Sequence, residues 1–344
     1  MFRCVTVKNF RAITELRVDG LSRVNLFVGH NASGKTSLLE SIFFLIGATN
    51  PKLPMSVNTF RGFPYIGGTM WPTYFHNMNV KIPIEIHAED AMTGEEQRLR
   101  IKPRYEHSPA TLPSDVAPIS SEPDVLVNGL DLEYATSTDA DTREQSSVFQ
   151  RDEQLVYEGA RARLPSGTFV VPLSADLRNK FSEVQRKKRV NDVVSLLKNV
   201  EPAVEDIRLL DPPGLLYADT GATELMPVNL MGGGMIKLLS TALAMLNMQD
   251  GFVLIDEIEN GLGYSSQQKL WEAIFSWARK LNIQVFATTH SAECIRAFSD
   301  RAEGELFEAD AKLFRIGRIE DKFRAVEYTR ELLAESIDSN WEVR

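Results

Sequence analysis

The sequence predicts an α/β fold in which a mixed or parallel core sheet is joined by an antiparallel β-meander and an inserted helical lobe. Two patterns support this class. A strand, a glycine loop and a helix follow one another between Val24 and Gly47, and the apolar run Phe252–Ile255 is typical of a buried parallel strand. With 344 residues, 43% of them hydrophobic, the chain can bury a sizeable core. We therefore expect one large unit that carries an inserted lobe.

The glycine loop Gly29–Thr36 fits the phosphate-binding pattern G-x-x-x-x-G-K-[ST]. Its glycines let consecutive backbone N–H groups face one anion, and the following helix adds its dipole. We expect Lys35 to reach the β- and γ-phosphates of ATP and to take part in catalysis, and the Thr36 hydroxyl to bind Mg2+. The expected ATP contacts in the loop are Asn31, Ala32, Ser33, Gly34, Lys35, Thr36 and Ser37.

Residues 1–28 contain three short β-prone runs separated by turns, which predicts a β-meander in front of the helix. Two interpretations of the first turn stay open. Arg11 contacts the bound nucleotide, because an arginine close to a phosphate site is a common anion ligand, or the turn is simply anchored by Phe10.

Apolar residues alternate from Val80 to Ala88 and predict a half-buried edge strand. Its partner carries Leu99 and Ile101 across the turn at Thr93-Gly94. Residues 108–150 are polar, and we expect loop there apart from a hairpin at Asn128-Gly129.

The segment from 176 to 200 is predicted to be helical and contains the basic cluster Arg186–Arg189. One interpretation makes this cluster a patch that binds nucleic acid or a protein partner. The other makes it a solvated helix face, which we favour because no aromatic residues for base stacking lie between the charges.

The apolar run Phe252–Ile255 ends in Asp256 and Glu257, which a parallel strand would deliver at its carboxyl end. We expect Asp256 to hold Mg2+ and Glu257 to polarise the water that attacks the γ-phosphate. A second strand ends in His290 and follows after one helix, so we interpret His290 as a catalytic residue that senses the γ-phosphate.

Three glycines, Gly232, Gly233 and Gly234, open the apolar helix Met235–Leu246 and form a second backbone anion site. One triphosphate does not need two such sites in one chain. We expect these glycines to cap the γ-phosphate bound by another subunit, so that hydrolysis requires a dimer. The alternative is a flexible turn that enters a helix.

Composition limits the partners and the compartment. The net charge of -9 gives no general attraction to nucleic acid or an anionic membrane. Cys4 and Cys294 lack C-x-x-C spacing and are expected to be free thiols. No apolar run approaches the roughly 18 residues of a membrane span, and no signal peptide is evident, so we expect a cytoplasmic protein without membrane contact.

Four motifs in this order resemble the ABC-type ATPase head shared by the SMC, RecF and OLD families, and the OLD-like stand-alone ATPases match best. The residues that carry the resemblance are Asn9–Ile13, Gly29–Ser37, Leu230–Leu239, Leu254–Leu262, Phe286–Ser291 and the ending Glu342–Arg344. The resemblance implies an α/β sandwich head, ATP and Mg2+ as ligands, and a head-to-head dimer with ATP at the interface.

The chain departs from related sequences in three places. Residues 230–234 read Leu-Met-Gly-Gly-Gly where transporter ATPases carry Leu-Ser-Gly-Gly-Gln, so the serine contact to the γ-phosphate is missing. The glutamine loop has only His76, Asn77 or Asn79 as candidates, and Gly263 replaces a histidine usual in the OLD-like group.

The chain divides into four predicted parts. They are 1–103 with the phosphate loop, a polar insertion at 104–168, a helical/β lobe at 169–230, and 231–344 with the remaining motifs.

OLD proteins also carry a Toprim nuclease, for which the roughly 54 residues after His290 are too few. The resemblance therefore implies an ATPase that forms a homodimer or higher oligomer and regulates a separately encoded effector, such as a Toprim-like nuclease, in bacterial antiphage defence or DNA maintenance. The alternative is a RecF-like repair clamp that binds duplex DNA. The missing signature serine disfavours a transporter motor.

Overall fold

The computed structural model describes residues 1–63, 70–105, 126–138, 144–152, 154–159, 167–170, 177–198, 201–212, 214–302, 310–319 and 322–338. The strands in these ranges are β1 (Phe2–Phe10), β2 (Ile13–Val18), β3 (Val24–Val28), β4 (Ile84–Asp90), β5 (Glu96–Tyr105), β6 (Val127–Thr136), β7 (Glu144–Arg151), β8 (Gln154–Gly159), β9 (Gly167–Val170), β10 (Asp206–Leu210), β11 (Leu215–Asp219), β12 (Met226–Pro227), β13 (Phe252–Ile255), β14 (Gln284–Thr288), β15 (Ala311–Ile319) and β16 (Lys322–Tyr328). The helices are α1 (Lys35–Ile46), α2 (Leu53–Phe60), α3 (Leu177–Arg186), α4 (Val190–Lys198), α5 (Gly233–Asn247), α6 (Tyr264–Lys280), α7 (Ala292–Arg301) and α8 (Arg330–Asp338).

A six-stranded, largely parallel sheet forms the core, with the order β16-β15-β3-β14-β13-β9. Strand β16 lies at one edge and runs antiparallel to β15, while the other pairs are parallel. Every residue of β3, β13 and β14 is buried, which explains why these strands are mostly apolar in the sequence. Because β14 pairs in parallel with both β3 and β13, the carboxyl ends of the three strands meet at one edge of the sheet.

The two faces of the core sheet pack against different layers. Along β13, Val253 and Ile255 belong to a core shared with α5, α6 and α7, whereas Phe252 and Leu254 pack with α1 and the antiparallel sheet. Phe252 stacks on Phe2 of β1 at a centroid distance of 4.7 Å. This layered α/β arrangement, with the antiparallel sheet on one face and helices on the other, confirms the predicted fold class.

The second sheet has seven antiparallel strands in the order β2-β1-β4-β5-β6-β7-β8. The predicted meander is half correct, because β1 and β2 form a hairpin but β3 belongs to the core sheet. The edge position predicted for the strand at 80–88 is wrong, because the strand begins at Ile84 as β4 and lies between β1 and β5. The predicted β4–β5 hairpin across Thr93-Gly94 is confirmed.

The predicted hairpin at Asn128-Gly129 is wrong. Strand β6 continues through both residues, with a register shift against β5 at Asn128, and pairs with β5 on one side and β7 on the other. Gly129 is required by a close neighbour, since a Cβ there would lie 2.4 Å from the Cβ of Phe149. Strands β6 and β7 thus occupy part of the region 108–150, where loop was expected.

The predicted helical segment 176–200 consists of two helices, α3 and α4, separated at Lys188, whose φ is +57°. Phe181 and Val193 are among the residues that pack this lobe onto the core helices. The small sheet β10-β11-β12 lies in the same part of the chain. The four-part division of the chain remains a prediction, and the ending Glu342–Arg344 lies outside the described residues.

Both cysteines are buried and free, as expected. Among the described helices, none combines the length and the apolar character needed to cross a membrane.

Candidate nucleotide-binding site

A cleft of about 320 Å³ opens at the carboxyl ends of β3, β13 and β14, and we call it the phosphate-loop cleft. Its lining residues are Ala12, Asn31, Ala32, Ser33, Gly34, Lys35, Thr36, Ser37, Arg61, Asp256, Glu257, Thr288 and His290. The structure therefore brings together the loop, the Asp-Glu pair and the histidine that the sequence predicted separately. Arg11 and Gly232–Gly234 do not line this cleft.

The backbone of the loop depends on its glycines. Gly29 has a φ of +148°, and a Cβ there would lie 2.3 Å from the carbonyl oxygen of Ile316 on the neighbouring strand. Gly34 has a φ of +93° immediately before α1, whose first turn has no side-chain cap. The N–H groups of this turn are thus left for an anion.

The Lys35 ammonium lies folded over the loop. It donates to the carbonyl oxygens of Gly29 and His30 at 2.8 and 2.9 Å. Burial lowers the pKa of Lys35, and the carboxylates of Asp256, Glu259 and Glu257 oppose this shift. The lysine is therefore a pre-positioned cation whose contacts are weak backbone acceptors that phosphate oxygens can replace.

The oxygens expected to hold a metal lie side by side. The Thr36 hydroxyl donates to the Asp256 carboxylate at 3.0 Å, and the Thr288 hydroxyl donates to the same carboxylate at 2.6 Å. Among the described residues there is no group of three or more His, Cys, Asp or Glu side chains able to hold a metal alone. One carboxylate and one hydroxyl fit Mg2+, which takes the rest of its ligands from water and substrate phosphates.

Glu257 is held in an unusual conformation. Its φ is +46°, which costs energy for a residue with a Cβ, and its backbone N–H donates to Thr288 at 2.9 Å. The Asn260 side chain donates to one carboxylate oxygen of Glu257 at 2.6 Å. The other carboxylate oxygen is thereby left for a different donor. Asn260 belongs to the motif Leu254–Leu262, but the sequence does not show its contact with Glu257.

His290 lies on the rim of the cleft with 43% of its side chain exposed. Its backbone N–H donates to the carboxylate of Glu259 at 3.0 Å, and its Nδ1 lies 3.1 Å from the same oxygen. Glu259 is buried and does not line the cleft. The sequence reasoning did not single out this carboxylate, although it lies two positions after Glu257.

Arg11 lies outside the lining of the phosphate-loop cleft. Its guanidinium forms an ion pair at 2.7 Å with Glu40 of α1 and donates to Asn58 at 3.0 Å. That Arg11 binds ATP stays a prediction, and the observed contacts instead tie the turn that carries it to α1 and α2. Glu40 also pairs with Arg61 at 2.6 Å, and Arg61 is the arginine that lines the cleft. No local sequence pattern marks Arg61, because it follows α2 in a glycine-rich turn.

The three signature glycines have two different environments. A Cβ added to Gly232 or Gly233 would meet no atom within 4 Å, whereas one on Gly234 would lie 2.1 Å from the carbonyl oxygen of Gly261. Leu230 beside them is 75% exposed. The start of α5 is thus open on one side and packed backbone against backbone on the other.

Lys237 is a buried lysine that the sequence reasoning missed. It lies one turn into α5, is 3% exposed, and donates to the carbonyl oxygen of Asp256 at 2.6 Å. Burial lowers its pKa to about 8, against the opposing effect of Asp256, Glu259 and Glu257. This lysine places a cation beneath the strand end that carries the three carboxylates.

Comparison with solved structures places this geometry in a known class. The Smc head bound to the C-terminal winged-helix domain of ScpA has a TM-score of 0.51 and 12% identity, covering 96% of this chain and 98% of that chain. The Pyrococcus furiosus Smc head with an extended coiled coil, bound to the C-terminal domain of ScpA, has a TM-score of 0.52 and 11% identity, covering 98% and 99%. The chain therefore has the fold of an Smc head and carries the phosphate-loop cleft of a P-loop ATPase.

The family follows from the sequence match. The model described as "AAA domain, putative AbiEii toxin, Type IV TA system" matches residues 24–296, and the chain belongs to this family. A protein named ATP/GTP phosphatase from Helicobacter pylori is 21% identical over 91% of this chain and 92% of its own length. RecF from Lactobacillus acidophilus is 56% identical over 12% of this chain and 11% of its own, and RecF from Lactobacillus gasseri is 27% identical over 37% and 35%.

Proposed function

We propose that this ATPase is an ATP-dependent dimerising regulator that controls a separately encoded effector, in the first place a nuclease, in antiphage defence or DNA maintenance. The open face of Gly232 and Gly233 carries the proposal. These glycines begin α5 outside the cleft of their own chain, with no atom within 4 Å of an added Cβ. The N–H groups of a helix N-terminus bind anions, so a second subunit would present its ATP here.

The surroundings of these glycines support a protein contact. Leu230 lies two residues before Gly232 and is 75% exposed, and burying a side chain of this size against a partner contributes roughly 1.5 to 3 kcal/mol. In the proposed dimer each ATP lies between the phosphate loop of one subunit and the start of α5 of the other. Neither subunit then has a complete site alone.

The catalytic roles follow from the cleft geometry. Lys35 exchanges the carbonyl oxygens of Gly29 and His30 for the β- and γ-phosphate oxygens. Glu257 accepts a proton from the water whose oxygen attacks the γ-phosphorus, while the bond to ADP breaks and ADP leaves with its oxygen. Asn260 holds the Glu257 carboxylate in place for this step. His290 on the rim contacts the γ-phosphate and stabilises its developing charge.

Mg2+ fits the pair of oxygens from Thr36 and Asp256, which already lie within hydrogen-bond distance of each other. The ion would neutralise charge on the β- and γ-phosphates when bound. Thr288 orients the Asp256 carboxylate and also accepts the backbone N–H of Glu257. The hydroxyl of Thr288 therefore links the proposed metal ligand to the proposed base.

The effector role rests on what related proteins do. The family description names a toxin of a type IV toxin–antitoxin system, which supports a place in defence. The Smc heads of similar fold are bound to ScpA domains, so a head of this kind can dock another protein. We extend this to a separately encoded effector for the present chain.

A DNA clamp is less well supported. The outward-facing basic residues of β5 are matched by acids on the same sheet, as in the pair of Lys102 with Glu133. In the basic cluster, Arg189 pairs with Asp192 at 2.8 Å and Lys187 donates to Asn247 at 3.3 Å. The two ion pairs neutralise part of the positive charge on these surfaces, which weakens the case for a groove that follows a phosphate backbone.

The first experiment measures ATP turnover per subunit against protein concentration, with light scattering on the same samples. For the wild type we expect turnover per subunit to rise with concentration. Glu257→Gln should bind ATP, lose turnover and accumulate as a dimer. Turnover independent of concentration, together with a monomeric Glu257→Gln protein, would contradict the proposal.

A variant of Gly233 tests whether the start of α5 acts on ATP bound by a second subunit without affecting ATP binding in its own chain. Gly233→Asp places a carboxylate where the partner's γ-phosphate would bind, and an acidic residue in a first helical turn does not destabilise the helix. We expect ATP binding to the monomer to be retained, with dimerisation and turnover lost. Gly317→Ala in β15, also in open space, is the matched control and should behave as wild type.

A further inference from the structure

Glu259 is a buried residue whose carboxylate contacts His290. It is 8% exposed and is absent from the lining of the phosphate-loop cleft. One of its oxygens accepts the backbone N–H of His290 at 3.0 Å and lies 3.1 Å from the ring Nδ1 of the same residue. The carboxylate therefore holds both the chain and the ring of His290.

The second oxygen of Glu259 is buried and has no hydrogen-bond partner among the described residues. Leaving a buried carboxylate oxygen unpaired costs free energy, so a residue kept in this state calls for an explanation. The nearest compensation is charge, because Glu259 acts electrostatically on the ammonium groups of Lys237 and Lys35. Neither lysine donates a hydrogen bond to this oxygen.

The chemistry of the pair fixes the form of the ring. An ionised carboxylate can only accept hydrogen bonds, so the proton between Glu259 and His290 must be on Nδ1. In the neutral ring Nε2 then carries the lone pair, and any second proton is added at Nε2. Because Nδ1 is bound to Glu259 and the ring is 43% exposed at the cleft, Nε2 is the nitrogen available to a ligand.

We propose that Glu259 is the positioning residue for His290, fixing its ring in the Nδ1–H form and thereby presenting Nε2 to the terminal phosphate of ATP. This inference rests on the function proposed for His290. It adds a second carboxylate with a different role, since Glu257 faces the water whereas Glu259 acts through the histidine without touching substrate. Carboxylates that hold a functional imidazole in this way set its tautomer and orientation.

Two substitutions at this position separate the hydrogen bond from the charge. Glu259→Gln keeps an oxygen that can accept from both His290 groups but removes the charge. Glu259→Leu has similar volume and removes the acceptor as well. Glu293→Gln is the matched control, because it removes an exposed carboxylate three residues from His290 that belongs to the first turn of α7.

The first readout is the ring itself, by 15N NMR of protein labelled at histidine. The chain has five histidines, and His290→Gln identifies the signal of interest. We expect the Nδ1–H form in the wild type, in Glu259→Gln and in Glu293→Gln, and a shift towards Nε2–H in Glu259→Leu. A wild-type ring in the Nε2–H form, or a folded Glu259→Leu protein that keeps Nδ1–H, would overturn the proposal.

The second readout is turnover. We expect kcat to fall about tenfold in Glu259→Gln and about a hundredfold in Glu259→Leu, with the KM for ATP changed less than about threefold, the usual range for a residue that orients a functional histidine. Glu293→Gln should keep wild-type kcat. An unchanged kcat in Glu259→Gln, when His290→Gln is impaired, would refute the role even if Glu259→Leu fails to fold.

The outcomes also separate this inference from the proposed function. If His290→Gln hydrolyses ATP as fast as the wild type, the role proposed for His290 is wrong, while the NMR result still decides whether Glu259 fixes the ring. If His290→Gln is inactive but Glu259→Leu is folded and fully active, the proposed function stands and the positioning role is refuted.

Discussion

Arg11 and Glu40 form a buried ion pair, and we expect a large loss of stability when the charge of Glu40 is removed. Glu40 is 1% exposed at the side chain and receives Arg11 at 2.7 Å and Arg61 at 2.6 Å. We expect Glu40→Gln to lower the free energy of unfolding by about 3 kcal/mol, because breaking a buried pair leaves a charge without its counter-ion. The measurement is urea unfolding at neutral pH.

The two arginines do not contribute equally to this loss. The Arg11 side chain is 10% exposed, and when Glu40 loses its charge the other described neighbours of the guanidinium, the Asn58 oxygen and the faces of Phe10 and Tyr74, are all uncharged. Arg61 is 34% exposed and can turn towards water when its partner is neutral. We therefore attribute the loss in the free energy of unfolding mainly to Arg11, which stays buried without a counter-ion. Burial is also the largest influence on the pKa of Arg11 and lowers it.

A double-mutant cycle tests that assignment. Replacing both partners by apolar residues, in Arg11→Met with Glu40→Leu, should recover at least about half of the loss, since apolar replacements of buried pairs are often neutral. Glu85→Gln, whose partner Arg100 lies 3.6 Å away on the exposed sheet face, is the control and should cost less than about 1 kcal/mol. If Glu40→Gln lies within about 1 kcal/mol of the wild type, the reasoning about Arg11 is wrong.

Three further predictions concern other parts of the molecule. Gly261→Ala should lower the melting temperature and abolish turnover, because its Cβ would lie 2.6 Å from the N of Gly234 at a φ of +77°, whereas Gly263→Ala in open space should do neither. Burial raises the pKa of Cys294 to about 12, so in a Cys4→Ser protein a thiol reagent at about pH 8 should react only after urea unfolds the chain; rapid reaction of the native protein would contradict this. Removal of divalent cations with EDTA should stop turnover and added Mg2+ should restore it, and turnover that persists in EDTA would argue against the proposed metal site.

Each part of the site that was predicted from the sequence is a short motif of consecutive residues. A glycine loop between strand and helix and an apolar run that ends in Asp256 and Glu257 are local patterns with local physical causes. The parallel arrangement of β3, β13 and β14 then brings their ends together without further information. His290 was reached in the same way, from its position at the end of a strand.

Three contacts that local sequence patterns did not predict have a common cause. Each depends on a partner residue that lies far away in the chain. Arg11 is recruited by Glu40, 29 residues later, and no local pattern distinguishes this from a phosphate contact. Gly129 looks like a turn residue, yet it is the neighbour Phe149 that requires it. Lys237 resembles any helical lysine until the carbonyl of Asp256 and the packing of α5 bury it.

The glycine run that opens α5 combines two requirements that the sequence cannot separate. Gly234 must lack a Cβ because it packs against the backbone of Gly261, in the turn that follows Glu257. Lys237 adds a second attachment to the same turn region through the Asp256 carbonyl. A Cβ on Gly233 would meet no such neighbour, so packing among the described residues does not require a glycine there. Variants at Gly233 and Gly261 consequently affect different things: the first should change what binds to α5, and the second should change how α5 holds the strand end that carries Glu257.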